Sequence, residues 1–101
     1  MKNEETLILT DTVRARVITL APRQGTGFHH HTEITDHMFC VSGEIVVRLK
    51  SPLEEIVLSP GNRCTVHPGR VHQVMNNLET ACSEYLLLQG AGRYDFITED
   101  A

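Results

Sequence analysis

Apolar residues in this chain gather in short runs. No long stretch carries them at i, i+3, i+4 and i+7, so no helix is predicted. Runs of strand character fall at 7–10, 13–21, 37–41, 44–49, 54–58, 63–66, 71–75 and 81–88, several of them rich in Val, Ile, Leu and Thr. Turn residues divide them. A break at 22–27 contains Pro22, Gly25 and Gly27, and Ser42-Gly43 reads as a tight turn. Ser51-Pro52, Ser59-Pro60-Gly61-Asn62 and Pro68-Gly69 combine Pro, which fixes φ, with Gly or Asn, which accept positive φ. Asn76-Asn77 turns the chain before the last long run. Segment 90–101 is less regular, and within it 94–97 reads either as a last edge strand or as a packed extension.

About eight short strands without a helix predict an all-β sandwich or closed barrel. Closure also removes the open strand edges that invite aggregation. A length of 101 residues suits one domain, and no linker, repeat or low-complexity tract argues for a second, so 1–101 is expected to form a single unit. An apolar share of 41% is enough for one compact core and too high for a disordered chain.

Charge narrows the partners. Nine Lys and Arg stand against 13 Asp and Glu, a formal charge of −4, with no basic cluster. That argues against nucleic acid and against an anionic membrane surface. Residues 1–6 are polar and carry Glu4 and Glu5 where a secretory signal needs an apolar run, and no apolar run approaches the roughly 20 residues that span a bilayer. A cytoplasmic protein is expected. Cys40, Cys64 and Cys82 are odd in number, lack C-x-x-C spacing and sit in apolar runs, so they read as buried, reduced thiols. The alternative places Cys40 or Cys64 at a pocket.

The six histidines are unevenly placed. His29, His30, His31 and His37 lie within nine residues, and His67 and His72 flank the Pro68-Gly69 turn. On a strand, residues two apart share a face, so His29-x-His31 presents two imidazoles side by side, with His30 opposite. That pair suits a borderline divalent metal such as Zn, Ni, Fe or Mn. Asp36 adds a carboxylate five residues on, and His72 begins another strand able to face the first across a small barrel.

These residues resemble the two motifs of the cupin superfamily. The first is written G-x5-H-x-H-x3,4-E-x6-G, and here His29-x-His31 is followed after four residues by Asp36 and after six more by Gly43. The second is written G-x5-P-x-G-x2-H-x3-N, and here Gly61, Gly69, His72 and Asn76 stand at its spacing. The core motifs thus cover 29–43 and 61–76, just under half the chain. Arg23 replaces the leading Gly, Asp36 the usual Glu, and His67 the usual Pro, with Pro68 one place late. The resemblance implies a single-domain, RmlC-like cupin barrel (a double-stranded β-helix, or jelly roll). It also implies His29, His31, Asp36 and His72 as ligands of a divalent transition metal. Glu33, two residues after His31, is the rival carboxylate.

His37 and His67 read as packed or surface residues, with an acid–base or supporting role as the alternative. Tyr85, Glu84, Gln73 and Arg48 lie on strands and are candidates for the cavity wall; alternation does not say which of Glu84 and Tyr85 faces inward. The function expected is a metal-dependent enzyme on a small molecule, of isomerase, lyase or dioxygenase type. The alternative is a binding or sensing module without turnover. A metal-free isomerase using histidine as base is disfavoured by the full ligand set. Small cupins are often homodimers, and a strand at 5–10 is available to pair across such an interface.

Overall fold

The computed structural model describes residues 2–99. Ten strands run along them: β1 (Lys2–Leu9), β2 (Arg14–Leu20), β3 (His29–His30), β4 (Thr35–Ser42), β5 (Ile45–Leu49), β6 (Glu54–Leu58), β7 (Arg63–Val66), β8 (His72–Asn76), β9 (Ser83–Gly90) and β10 (Ile97–Thr98). No helix occurs among the described residues, and so none is long and apolar enough to cross a membrane. The strands form two five-stranded antiparallel sheets, ordered β1-β2-β9-β4-β7 and β10-β3-β8-β5-β6.

Alternation builds the core. In β9, Ser83, Tyr85, Leu87 and Gln89 are buried while their neighbours are half-buried, and β4 and β8 repeat the pattern. The inner faces meet in a cluster that includes Ile18, Leu20, Met38, Ile45, Val47, Leu58, Val74 and Tyr85. Removing such side chains from water is the main favourable term, at about 1.5–3 kcal/mol each. Cross-strand register then aligns buried positions of the first sheet: Gln89 stands opposite Asp36, and Leu87 opposite Met38.

Two turns lock the barrel where the motifs place glycine. Gly43 has φ +76°, and a Cβ there would run into the Ser83 side chain. Gly69, at φ +84°, donates its N–H to the His31 carbonyl at 2.7 Å, so the turn of the second motif grips the backbone of the first.

Several sequence expectations need correction. Strand β1 begins at Lys2, well before position 7, because its backbone pairs with β2 through to Leu20. Strand β3 covers only the start of the His29-x-His31 stretch read as strand, and β10 begins at the last residue of the possible edge strand 94–97; each is two residues long, too short to stand out as an apolar run. In the tail, 94–96 form a packed extension and the strand follows at 97–98; positions 1, 100 and 101 lie outside the described residues. Only Cys40 is buried. Cys64 is half-buried against the core, and Cys82 is exposed because it precedes the inward alternation that begins at Ser83. Burial pushes the Cys40 thiol up and the Cys64 thiol up to about 11, so both stay protonated near neutrality.

Candidate metal centre

His29, His31, Asp36 and His72 converge at one end of the barrel. One potential ligand atom from each lies within 4.8 Å of all the others, and all four residues are buried. The fold accounts for the meeting. His29 pairs directly with His72 across β3 and β8, Gly69 holds the His31 backbone, and Asp36 faces inward from β4.

Each imidazole is oriented by the main chain. Nδ1 of His29 donates to the Gly27 carbonyl at 2.8 Å, Nδ1 of His31 to that of Asp95 at 2.6 Å, and Nδ1 of His72 to that of Arg70 at 2.8 Å. A carbonyl only accepts, so each ring carries its proton on Nδ1 and, when neutral, turns the Nε2 lone pair to the centre. His72 Nε2 lies 3.0 Å and His31 Nε2 3.3 Å from Asp36 Oδ2. His31 Nε2 is nevertheless a buried atom with no hydrogen-bond partner, because its approach to Asp36 is misaligned. Lone pairs and a carboxylate facing one another in a buried space need positive charge between them. This donor set, borderline nitrogen with one hard oxygen, is that of a divalent transition metal.

The proton equilibria differ between the rings. Burial dominates at His29 and lowers its pKa to about 4, keeping the ring neutral at pH 7. At His31 burial acts downward too, but the Asp36 carboxylate outweighs it and the net shift is upward. Burial opposes charge on Asp36, yet contacts from His31, His72 and Gln89 hold its carboxyl below the usual range.

An outer ring supports the four. Gln89 Nε2 donates to Asp36 Oδ1 at 2.9 Å, and Gln89 Oε1 accepts from Arg16 Nη2 at 2.9 Å. Arg16 Nη1 in turn reaches Glu4 Oε1 at 3.0 Å. Phe96 stacks on His29, with centroids 4.1 Å apart and planes 16° apart. The Asp95 carboxylate ties this segment to Thr32 through its N–H at 2.9 Å and its hydroxyl at 2.5 Å. Beside the cluster lies a cavity of about 170 Å³, walled by Ile18, Met38, Val74, Leu87, Tyr85 and Tyr94, with Arg16 and Glu4 at its polar side.

The rival Glu33 is exposed and accepts a hydrogen bond from the Arg93 N–H at 3.2 Å. Strand alternation ends at His30, so Glu33 does not share the face of His31. His37 is half-buried on the opposite side of β4, 3.3 Å from Thr65 Oγ1, and His67 is exposed. Of the wall candidates, Tyr85 faces the cavity. Glu84 bonds Ser42, Gln73 bonds the Thr26 carbonyl and Arg48 pairs with Glu55, all away from it. Sequence reading missed Arg16, Gln89, Tyr94 and Phe96. Alternation offered a signal for Gln89 along β9 and for Arg16 along β2, where it shares a face with Ile18 and Leu20.

No protein-family model and no curated protein matches the chain. Solved structures do. A protein with a double-stranded β-helix domain from Klebsiella pneumoniae is 21% identical, with a TM-score of 0.82 over 98% of this chain and 80% of that one. A cupin superfamily protein from Desulfitobacterium hafniense is 15% identical, with a TM-score of 0.75 over 90% of this chain and 77% of that one. A recombinant oxalate oxidase in complex with glycolate is 16% identical, with a TM-score of 0.80 over 96% of this chain and 54% of that one. The chain therefore has the all-β, double-stranded β-helix fold of the cupins.

Proposed function

We propose that the protein binds one divalent transition metal through Nε2 of His29, His31 and His72 and the carboxylate of Asp36, and that it acts as a metal-dependent enzyme on a small molecule. The observation that carries this reading is the set of three Nδ1–H···O=C clamps, which turn three buried imidazoles toward a shared carboxylate. A metal held there supplies Lewis acidity toward a carbonyl or hydroxyl oxygen, and with iron also access to oxygen chemistry. The chain's own residues supply the rest. Gln89 fixes the rotamer of Asp36, Phe96 and Tyr94 shield the histidines from water, and the apolar wall excludes large ligands. Burial pushes the Tyr85 hydroxyl up, so it stays a donor. A recombinant oxalate oxidase in complex with glycolate has this fold, which supports an enzyme acting on a small molecule over a pure binding module.

A binding module without turnover is the second reading. It is favoured by the ion pair between Glu4 and Arg16, which engages the cavity's other carboxylate and leaves no evident acid–base pair. We also read 1–101 as one cytoplasmic domain, in line with the single core shared by both sheets. A homodimer fits edge strand β1, whose Leu7, Ile8 and Leu9 are 53%, 50% and 68% exposed. Light scattering that finds only monomer removes the dimer.

Metal analysis of the purified protein tests the main claim. About one divalent ion per chain is expected, sharply reduced in His31→Ala and His72→Ala. Equal metal in all three proteins sinks the ligand assignment. Turnover on a panel of carbonyl and phenolic compounds separates enzyme from binder.

A further inference from the structure

The cavity beside the cluster holds an unusual cation. Arg16 projects from β2 with its side chain only 10% exposed, and it is the sole Lys or Arg among the described residues lining the cavity. Its Nε is buried and has no hydrogen-bond partner, while Nη1 and Nη2 engage Glu4 and Gln89. A buried, largely desolvated guanidinium bonds a carboxylate strongly, and its Nη1 is the N–H group that a carboxylate already takes.

The two partners of Arg16 differ in kind. Gln89 comes from β9, in the interior of its sheet, and is itself bonded to Asp36. Glu4 comes from edge strand β1, exposed throughout 3–9, and its side chain is 36% exposed. A carboxylate from the rim of the sheet therefore already sits on the guanidinium. One glutamine side chain links that guanidinium to the carboxylate of the cluster.

We propose that Arg16 recognises the carboxylate of a small organic acid in this cavity, and that Glu4 occupies the place which the ligand's carboxylate takes. The reading deepens the metal-centre proposal and rests on it only for the other end of the ligand, where a hydroxyl or oxo oxygen faces the cluster. Size sets the class. A cavity of about 170 Å³ lies below the roughly 300–1,000 Å³ of pockets for drug-sized ligands, which suits an acid of a few carbons. The walls of Ile18, Met38, Val74 and Leu87 offer a longer polar chain nothing to bond.

Calorimetric titration of lactate and of its neutral isostere lactamide into the purified, metal-analysed protein tests this. Lactate is expected to bind at least about ten-fold more tightly than lactamide, since the difference is one charge-assisted pair. Arg16→Gln should abolish the discrimination, and Arg16→Lys should restore part of it. Glu4→Gln should tighten lactate binding several-fold by removing the competitor. Lactate binding no stronger than that of lactamide, including none by either, overturns the proposal. So does a Glu4→Gln variant whose lactate affinity is unchanged or weaker, and this arm decides alone if Arg16→Gln does not fold. A wild-type protein without metal that still prefers lactate would break the metal reading and leave Arg16 standing.

Discussion

The two ends of the barrel bury polar side chains in opposite ways. At the closed end, Asn76 Nδ2 donates to the carbonyls of Leu20, Ala21 and Ala81 at 2.8–3.1 Å, and its Oδ1 accepts from the Leu78 N–H at 2.9 Å and the Ser83 hydroxyl at 2.7 Å. Ser83 Oγ also accepts from the Glu44 N–H at 3.0 Å. Every group there has a partner within the protein. At the cluster end, three imidazoles and a carboxylate are just as buried, yet with the rings neutral their inner atoms are all acceptors, and His31 Nε2 bonds nothing. The same two motifs supply both ends: His72 and Asn76 are the first and last residues of β8. A satisfied buried network holds the fold, whereas one lacking a donor at its centre awaits a cation.

The largest effect expected on stability is at the closed end. Asn76→Ala removes a fully buried amide that serves the Leu20, Ala21 and Ala81 carbonyls, the Leu78 N–H and the Ser83 hydroxyl, and should cost about 3 kcal/mol or more in urea unfolding, with metal per folded chain unchanged. Loss of metal without loss of stability would reverse the division between the ends. At the cluster end, Asp36→Asn keeps the shape but removes the charge. Metal affinity should collapse, by more than the roughly 10–100-fold that loss of an outer partner brings. Gln89→Ala, which frees Asp36 Oδ1, should fall within that 10–100-fold range by competition with a chelator.

Acid should sharpen the contrast further in the metal-free protein. The folded pKa of His29 is lowered to about 4 from 6.5, so its neutral ring favours the fold fully above 6.5, and that contribution is lost as pH falls from 6.5 toward 4. His31, shifted upward, contributes in the opposite sense: its share is present below 6.5 and lost as pH rises through its folded pKa. His29→Gln should therefore lose stability less steeply than wild type between pH 6.5 and 4, measured by unfolding at each pH. The smallest effect belongs to Glu33→Gln. An exposed carboxylate away from the cluster should leave metal content unchanged and stability within about 0.5 kcal/mol.

Much of the site was legible because it lies on short-range geometry. The H-x-H spacing set His29 and His31 together, and the second motif brought His72 opposite His29. The choice between Asp36 and Glu33 was not open to alternation, since β3 ends at His30 and a turn carries Thr32 and Glu33 to the surface. Arg16, Gln89 and Glu4 were hidden for a different reason. Gln89 meets Arg16 and Asp36 only through the registers of β9 with β2 and β4, strands far from it in sequence, and Glu4 meets Arg16 through the register of the β1–β2 hairpin, which alternation alone does not encode. Tyr94 and Phe96 sit in the irregular tail, where no periodicity marks an inward face. The strand set was read well in the long runs and failed at the two-residue strands, which exist only through their neighbours' hydrogen bonds.

The acceptors that hold the three rings are peptide oxygens of Gly27, Arg70 and Asp95. Any amino acid supplies that oxygen, so replacing the side chain at those three positions leaves the acceptor in place as long as the backbone path is kept. Drift is freest at Gly27, where a Cβ would meet nothing within 4 Å, whereas the Asp95 and Arg70 side chains also anchor the backbone that carries their carbonyls. Alignment of descendants would therefore mark the histidines and miss the carbonyl that aims His29.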